Sequence, residues 1–511
     1  MSRRRLSAVA IVVVWVATLG WHVRREYFGA PGEVLAAGAR GLAPGTHFFV
    51  VRMDSSAIGY ASASFDTLAD GYLFEEQTIL DVPALGDVQR AVTRTRLELD
   101  DVLGLRSFAY SLQSAIGEFR VRGGRTADSA LDLQVSAGSD VERSRLDVGP
   151  DVLLDAALPL RIAAAGQLER GREVSARVFD PSALTDRSVT VRVAAVDTFI
   201  VPDSVRWNDT TRTFVTTVYD TVPVWRLDQR YGGIAVETWV DEDGMMVRAR
   251  SPLGFAIERT VFELARAELE AARARPQTAR GYGNVIESTA IASNVALDDV
   301  ELAPALRIHL GGIDPDGLDL DGGRQQLRSD TVLIARERGV ALQATYTLPF
   351  TEGGPPGDEL VATPLIQAEH PRIVAQARAI VGDTRDPAVA AQRLNDWVYR
   401  TLRKEITLSV PSALQVLAGG RGDCNEHTVL YLALARAIGL PARTAAGVVH
   451  IRGRFYYHAW PEVWLGRNWV AVDPTLGQYP ADVSHLRLVI GGLDRQVELV
   501  RVIGRLRLEV L

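Results

Sequence analysis

The stretch Arg421-Gly422-Asp423-Cys424-Asn425-Glu426-His427 holds the single cysteine of a 511-residue chain. Asp423 is a helix N-cap residue, and Glu426 three positions on completes a capping box. Helix formers run on to Ile438, and Gly439 with Pro441 beyond it ends the helix. Cys424 therefore falls in the first turn, where free amide groups and the positive end of the dipole favour negative charge on sulfur. That dipole is worth about 0.3–1 kcal/mol. An imidazolium ~4 Å away would contribute roughly 4 kcal/mol at an effective dielectric near 20. A histidine partner thus decides whether the thiol is activated; a helix start alone is insufficient. The competing account is a buried, inert cysteine acting as a small hydrophobe.

Four of the eight histidines lie between residues 427 and 485. His427 follows Cys424 on the same helix, shares its face only loosely, and reads as a packing or supporting residue. His450 and His485 have no carboxylate at a suggestive position. His458 has one. Trp464 and Trp469 bracket Leu465-Gly466-Arg467-Asn468, a hairpin connection that pairs residues whose numbers sum to an odd value. His458 and Asp473 then share a face, directly opposite or one step diagonal. A bulge at Pro461 would break that parity. Asp473 can hold the His458 tautomer and stabilise the imidazolium, the third-group role in a catalytic triad; the bland alternative is a structural hydrogen bond. Trp460 and Glu462 share the strand face of His458. Trp460 is a candidate substrate-binding wall of the site, with a structural aromatic as the alternative. A thiol, an imidazole and a carboxylate in this order are the parts needed for nucleophilic acyl transfer.

Three separated blocks carry a family resemblance. They are Ser412–Leu417 running into Gly422–His427 and Ala433–Arg443; Tyr457-His458-Ala459-Trp460-Pro461-Glu462-Val463-Trp464; and Trp469–Thr475. In this order they resemble the core of the transglutaminase-like superfamily over about residues 365–490. The resemblance implies a papain-like α+β core, helices packed on an antiparallel sheet, with the nucleophile at a helix start. It implies thiol-based acyl transfer or amide hydrolysis, with the family's cysteine, histidine and aspartate at Cys424, His458 and Asp473. The family includes cross-linkers, peptidases, amidases and inactive members. Nothing here resembles the calcium sites of the animal cross-linking enzymes, and no cofactor or metal is expected.

Outward from this core the chain divides into five regions. Residues 358–511 form the transglutaminase-like region, with helical periodicity after Pro371 and strands from Ala442 onward. Residues 284–357 read as a small β-module. Its Asp314–Asp321 run lacks the spacing of a calcium loop and reads as a solvated acidic turn. Residues 261–283 read as a connector helix region, its helix running over Phe262–Arg275 and stopped by Pro276. Residues 31–260 alternate apolar and polar positions and carry Asp70-Gly71 and Asp243-Gly244 hairpin signals, the pattern of a large antiparallel sheet. Residues 1–30 hold Arg3-Arg4-Arg5, an apolar run over 6–23 and Arg24-Arg25. At 1.5 Å per residue that run is roughly 27 Å long, enough to span with snorkelling flanks. No small-x-small site follows it, so an uncleaved transmembrane helix is preferred to a signal peptide, with the bulk of the chain periplasmic or extracellular.

The chain is 47% hydrophobic and 23% charged, with a formal net charge of −7. This is ordinary globular composition, and it makes no electrostatic case for nucleic acid. A single cysteine excludes an intramolecular disulfide. The expected partners are the membrane, through residues 6–23, and a protein or peptide substrate in the cell envelope. The competing function is a non-catalytic envelope-binding scaffold, suggested by the size of the β-rich region.

Overall fold

The computed structural model describes residues 31–511 apart from 85–86, 116, 138–139, 232–233, 252–253, 276–288, 298, 352–356, 497 and 500–501. The apolar run over 6–23 lies outside the described residues. Among those described, no helix is long and apolar enough to cross a membrane.

The alternation in the first half builds one fifteen-stranded sheet. Its first eight strands run outward one after another from Gly45–Met53 to Asp140–Asp147. The other seven return from the far edge, so that Phe255–Thr260 pairs antiparallel with Gly45–Met53. All neighbours are antiparallel except Val152–Leu154 beside Glu173–Asp180. In the strand Ser56–Leu68 every second residue, Ala61, Ala63 and Phe65, is buried, as a one-face-in sheet requires. Leu97, Leu99, Leu131 and Phe179 fill the same core. Both hairpins read from Asp-Gly pairs are present. Gly244 has φ +78°, and a Cβ there would lie 2.4 Å from the Pro159 carbonyl oxygen, so glycine is required.

The connector reading needs correction. The helix Phe262–Ala274 lays Ala265 and Ala272 against Val50 and Ala57 of the sheet, and Arg273 reaches Asp81 at 2.6 Å. It is a docked helix. The module boundary also moves. The strands Ala305–Gly311, Gln325–Arg328 and Thr331–Ala335 form a four-stranded sheet only with Arg507–Val510. Residues 284–357 are therefore not a self-contained unit.

In the remaining half, helices Pro371–Val381, Pro387–Thr401 and Ala413–Gly419 surround the helix Cys424–Ala437. Its residues from Leu430 to Ala435 are fully buried. Against this helix lies a sheet ordered Ile291–Ala292, Arg454–Trp464, Ala442–Ile451 and Leu486–Ile490, with Trp469–Ala471 also on Arg454–Trp464. The Thr428 hydroxyl donates to the Ala459 carbonyl at 3.2 Å and ties helix to sheet. The large sheet touches this half beside the cysteine: Arg421 Nη2 donates to the Ala115 carbonyl at 2.8 Å, and Gln415 Nε2 to that of Glu118 at 2.9 Å.

Candidate active site

Cys424 opens its helix as the capping residues dictate. The Asp423 carboxylate accepts from Asn425 N at 2.9 Å, and Glu426 Oε2 accepts from Asp423 N at 2.9 Å. Thr407 and Ser409 hydroxyls donate to the other Glu426 oxygen at 2.7 and 2.5 Å. A Cβ on Gly422 would lie 2.2 Å from Glu426 Cβ, so only glycine lets the loop approach this closely. Burial, and then the neighbouring Glu426 carboxylate, raises Asp423 well above the usual carboxylate range. Cys424 is half-buried, at the edge of the core that includes Tyr457 and Phe455.

The hairpin register follows the parity argument. Trp464 faces Trp469 and Glu462 faces Ala471, with no bulge at Pro461. Continued two residues, the register sets Asp473 across from Trp460, one diagonal step from His458. His458 Nε2–H donates to Asp473 Oδ2 at 2.8 Å, and the Cys424 side chain lies near enough to act on the same imidazole. Burial alone would drive the proton off His458. The Asp473 carboxylate, helped by the sulfur, outweighs this and lifts the imidazole to about 9. Asp473 is itself desolvated, but the two histidines hold it far below the usual carboxylate range. The sign is that of a raised histidine: the stabilising interaction is complete below the ordinary value near 6.5 and is lost as pH rises through about 9. A reaction that needs the His458 proton should show kcat/KM falling on an alkaline limb close to pH 9. A pH–rate profile from pH 5 to 10.5 checks this, and a flat profile through pH 10 would contradict it.

Asp473 has a second imidazole that the sequence analysis passed over. His485 Nε2 lies 2.9 Å from Asp473 Oδ2, and its Nδ1 lies 3.2 Å from Asp482 Oδ1. The reading of His485 as lacking a carboxylate is therefore wrong. The available signal was the Asp482-x-x-His485 spacing just past the hairpin. His458, Asp473 and His485 offer ligand atoms within 4.8 Å of one another. The two hydrogen bonds account for that spacing. Trp460 also departs from expectation. It is 1% exposed, packed among Ala445, Ala471 and Ala481, so it cannot form a substrate-contacting wall. Its ring stacks on His458 at 6.1 Å and meets His485 edge-on at 5.1 Å. His427 is a supporting residue, as read: it is fully buried, with Nδ1 2.6 Å from the Asp423 carbonyl oxygen.

The small module holds this wall from behind. Arg324 Nη1 donates to the Ala481 carbonyl at 2.8 Å. Gln325 exchanges two bonds with the Arg487 backbone, at 3.0 and 2.6 Å. Asp319 accepts from Ile490 N at 2.7 Å, so the acidic turn is partly structural rather than simply solvated. Glu462 is 2% exposed between Arg443, at 2.7 Å, and Arg487, at 3.1 Å. Removing its carboxylate leaves two arginines without their counter-charge, one of them buried. Glu462→Ala should cost about 3–5 kcal/mol, seen as a lowered melting transition. An unchanged transition would show that the arginines find other partners.

Residues 374–474 match the family model described as the transglutaminase-like superfamily. The matched residues include Cys424, His458 and Asp473 and exclude both the large sheet and His485. No curated protein matches the chain. Among solved structures, a β-barrel-like protein of the domain of unknown function DUF1849 from Brucella abortus is 14% identical, covering 43% of this chain and 97% of that one, with a TM-score of 0.29. The periplasmic domain of TgpA from Pseudomonas aeruginosa is 19% identical over 36% of this chain and 76% of that one, with a TM-score of 0.23. A DUF1089 family protein, also from P. aeruginosa, is 15% identical over 39% and 91%, with a TM-score of 0.25. Likenesses this slight carry no argument about function. The family match is confined to residues 374–474.

Proposed function

We propose that the transglutaminase-like segment is a thiol-dependent acyltransferase or amide hydrolase. The observation that carries this is the His458–Asp473 hydrogen bond beside Cys424, which acts on the same imidazole from a capped helix start. The Cys424 thiolate attacks a side-chain or backbone amide carbon. A C–S bond forms, and the carbonyl electrons move to oxygen. As the tetrahedral species collapses, the C–N bond breaks and the His458 imidazolium gives its proton to the leaving amine. The resulting thioester is attacked by water or by a second amine, whose proton returns to His458, and the C–S bond breaks to restore the thiolate. Asp473 holds the imidazole in line throughout. In this reading the backbone N–H of Cys424 donates to the developing oxyanion.

The proposed substrate is a protein or peptide of the cell envelope, and the proposed location is outside the cytoplasm on an anchor at residues 6–23. The test gives the purified protein a glutamine-containing protein and a labelled primary amine, and reads both by mass spectrometry. Amine incorporation identifies transfer; deamidation or chain cleavage identifies hydrolysis. Neither product, from a protein whose Cys424 also labels no faster than a free thiol, would leave the non-catalytic scaffold.

A further inference from the structure

We infer that His485 is a positioning residue of this site: it holds the same Asp473 oxygen as His458 and sets the charge that the Cys424–His458 pair experiences. This rests on the roles proposed above for Cys424, His458 and Asp473. The geometry extends those three groups to five, in the order Cys424, His458, Asp473, His485, Asp482. Both His485 ring nitrogens face carboxylate oxygens, and an ionised carboxylate only accepts. To satisfy both contacts the ring must donate from both nitrogens, as an imidazolium. Its side chain is fully buried, so water cannot take over either contact. Burial opposes that charge, but Asp473 and Asp482 together raise His485 above its ordinary value.

Asp482 is built to serve this contact. Its Oδ1 also accepts from Ser484 N at 2.8 Å and Ser484 Oγ at 2.6 Å, and its Oδ2 from Gln478 Nε2 at 2.8 Å. Trp460 lies against both imidazoles and fixes their planes. The charged and titratable groups that act on the pair are few. Cys424 and Asp473 act on His458, and the His485 ring stands 5.9 Å from it. Asp473 also acts on His427 and Lys404, and Asp482 on His450.

One Asp473 oxygen is therefore shared between two N–H donors, and half of its pull is spent on a second cation. Without the His485 charge, both sulfur and His458 should hold their protons to higher pH. The ion pair would then form at higher pH, and turnover would fall without loss of substrate binding.

The experiment uses the full-length protein and iodoacetamide. With one cysteine, alkylation reads Cys424 alone. In the unaltered protein, alkylation should be faster than that of an ordinary free thiol. His485→Gln keeps an N–H donor toward Asp473 and removes the charge. Its alkylation midpoint should rise by about one unit, slowing alkylation roughly fivefold at the wild-type midpoint and about tenfold well below it, with kcat reduced and KM unchanged within about twofold. Asp482→Asn should shift the midpoint in the same direction by less, and it serves as the test if His485→Gln fails to fold by circular dichroism. A midpoint unmoved in the folded variant overturns this inference and leaves the proposed function standing. Ordinary free-thiol alkylation in the unaltered protein overturns both.

Discussion

Replacing Cys424 by alanine is expected to lower turnover on the order of 10⁶-fold, the loss seen when a covalent nucleophile is removed from a working triad. The fold should survive. Cys424 is half-buried at the edge of its core, and the capping bonds that start its helix belong to Asp423, Asn425 and Glu426. The melting transition of the variant should therefore lie close to that of the parent, which separates lost chemistry from lost structure. Turnover reduced less than tenfold would mean that the thiol does not attack the substrate, and the acyl-enzyme would have to be abandoned. An envelope scaffold would retain its binding in this variant.

Asp473→Asn should be nearly as damaging to the chemistry, lowering kcat about 10⁴-fold through a tautomer error. Asp473 accepts from four donors: His458 Nε2 and His485 Nε2 at Oδ2, and Thr475 N and Leu476 N at Oδ1. An asparagine brings a donor pair into a site made of donors. The two backbone amides are fixed, so the asparagine oxygen stays with them and its NH₂ turns toward the histidines. His458 then presents an unprotonated Nε2 to that NH₂ and carries its proton on Nδ1, facing sulfur. It can no longer accept the thiol proton. Rapid-mixing measurement of acyl-enzyme formation checks this, and formation at the parental rate would contradict it. His485 meets the same NH₂, so some loss of stability should accompany the kinetic effect.

These expectations depend on a site that was largely visible in the amino-acid order, because its parts are local. A capping box places Cys424 by the chemistry of four consecutive residues, and a four-residue hairpin fixes the parity of His458 and Asp473. The wall behind them was not visible. The strand Leu486–Ile490 pairs with Ala442–Ile451, not with the hairpin carrying Asp473, so no short-range pattern brings His485 to that carboxylate. Trp460 was assigned to the correct strand face, but its burial depends on Ala445 and Ala481, which come from separate segments. The helix Phe262–Ala274 was plain from composition; its seat on Val50 and Ala57 is a tertiary fact. The four-stranded sheet was hidden for the same reason: its fourth strand is supplied from beyond residue 500.

That borrowed strand imposes an order of events during protein synthesis. Arg507–Val510 is made about 200 residues after its partner Ala305–Gly311, which at about 5–20 residues per second is a delay of roughly 10–40 s. Through that interval Ile308 and Leu310 lack the neighbours that later cover them. Gln325 belongs to the same unfinished sheet, and Asp319 and Arg324 to the chain that leads into it; all three brace the segment from Ala481 to Ile490. The Cys424 sulfur therefore leaves the ribosome before its surroundings can close, and a nascent chain stalled short of residue 510 should carry an incompletely braced site.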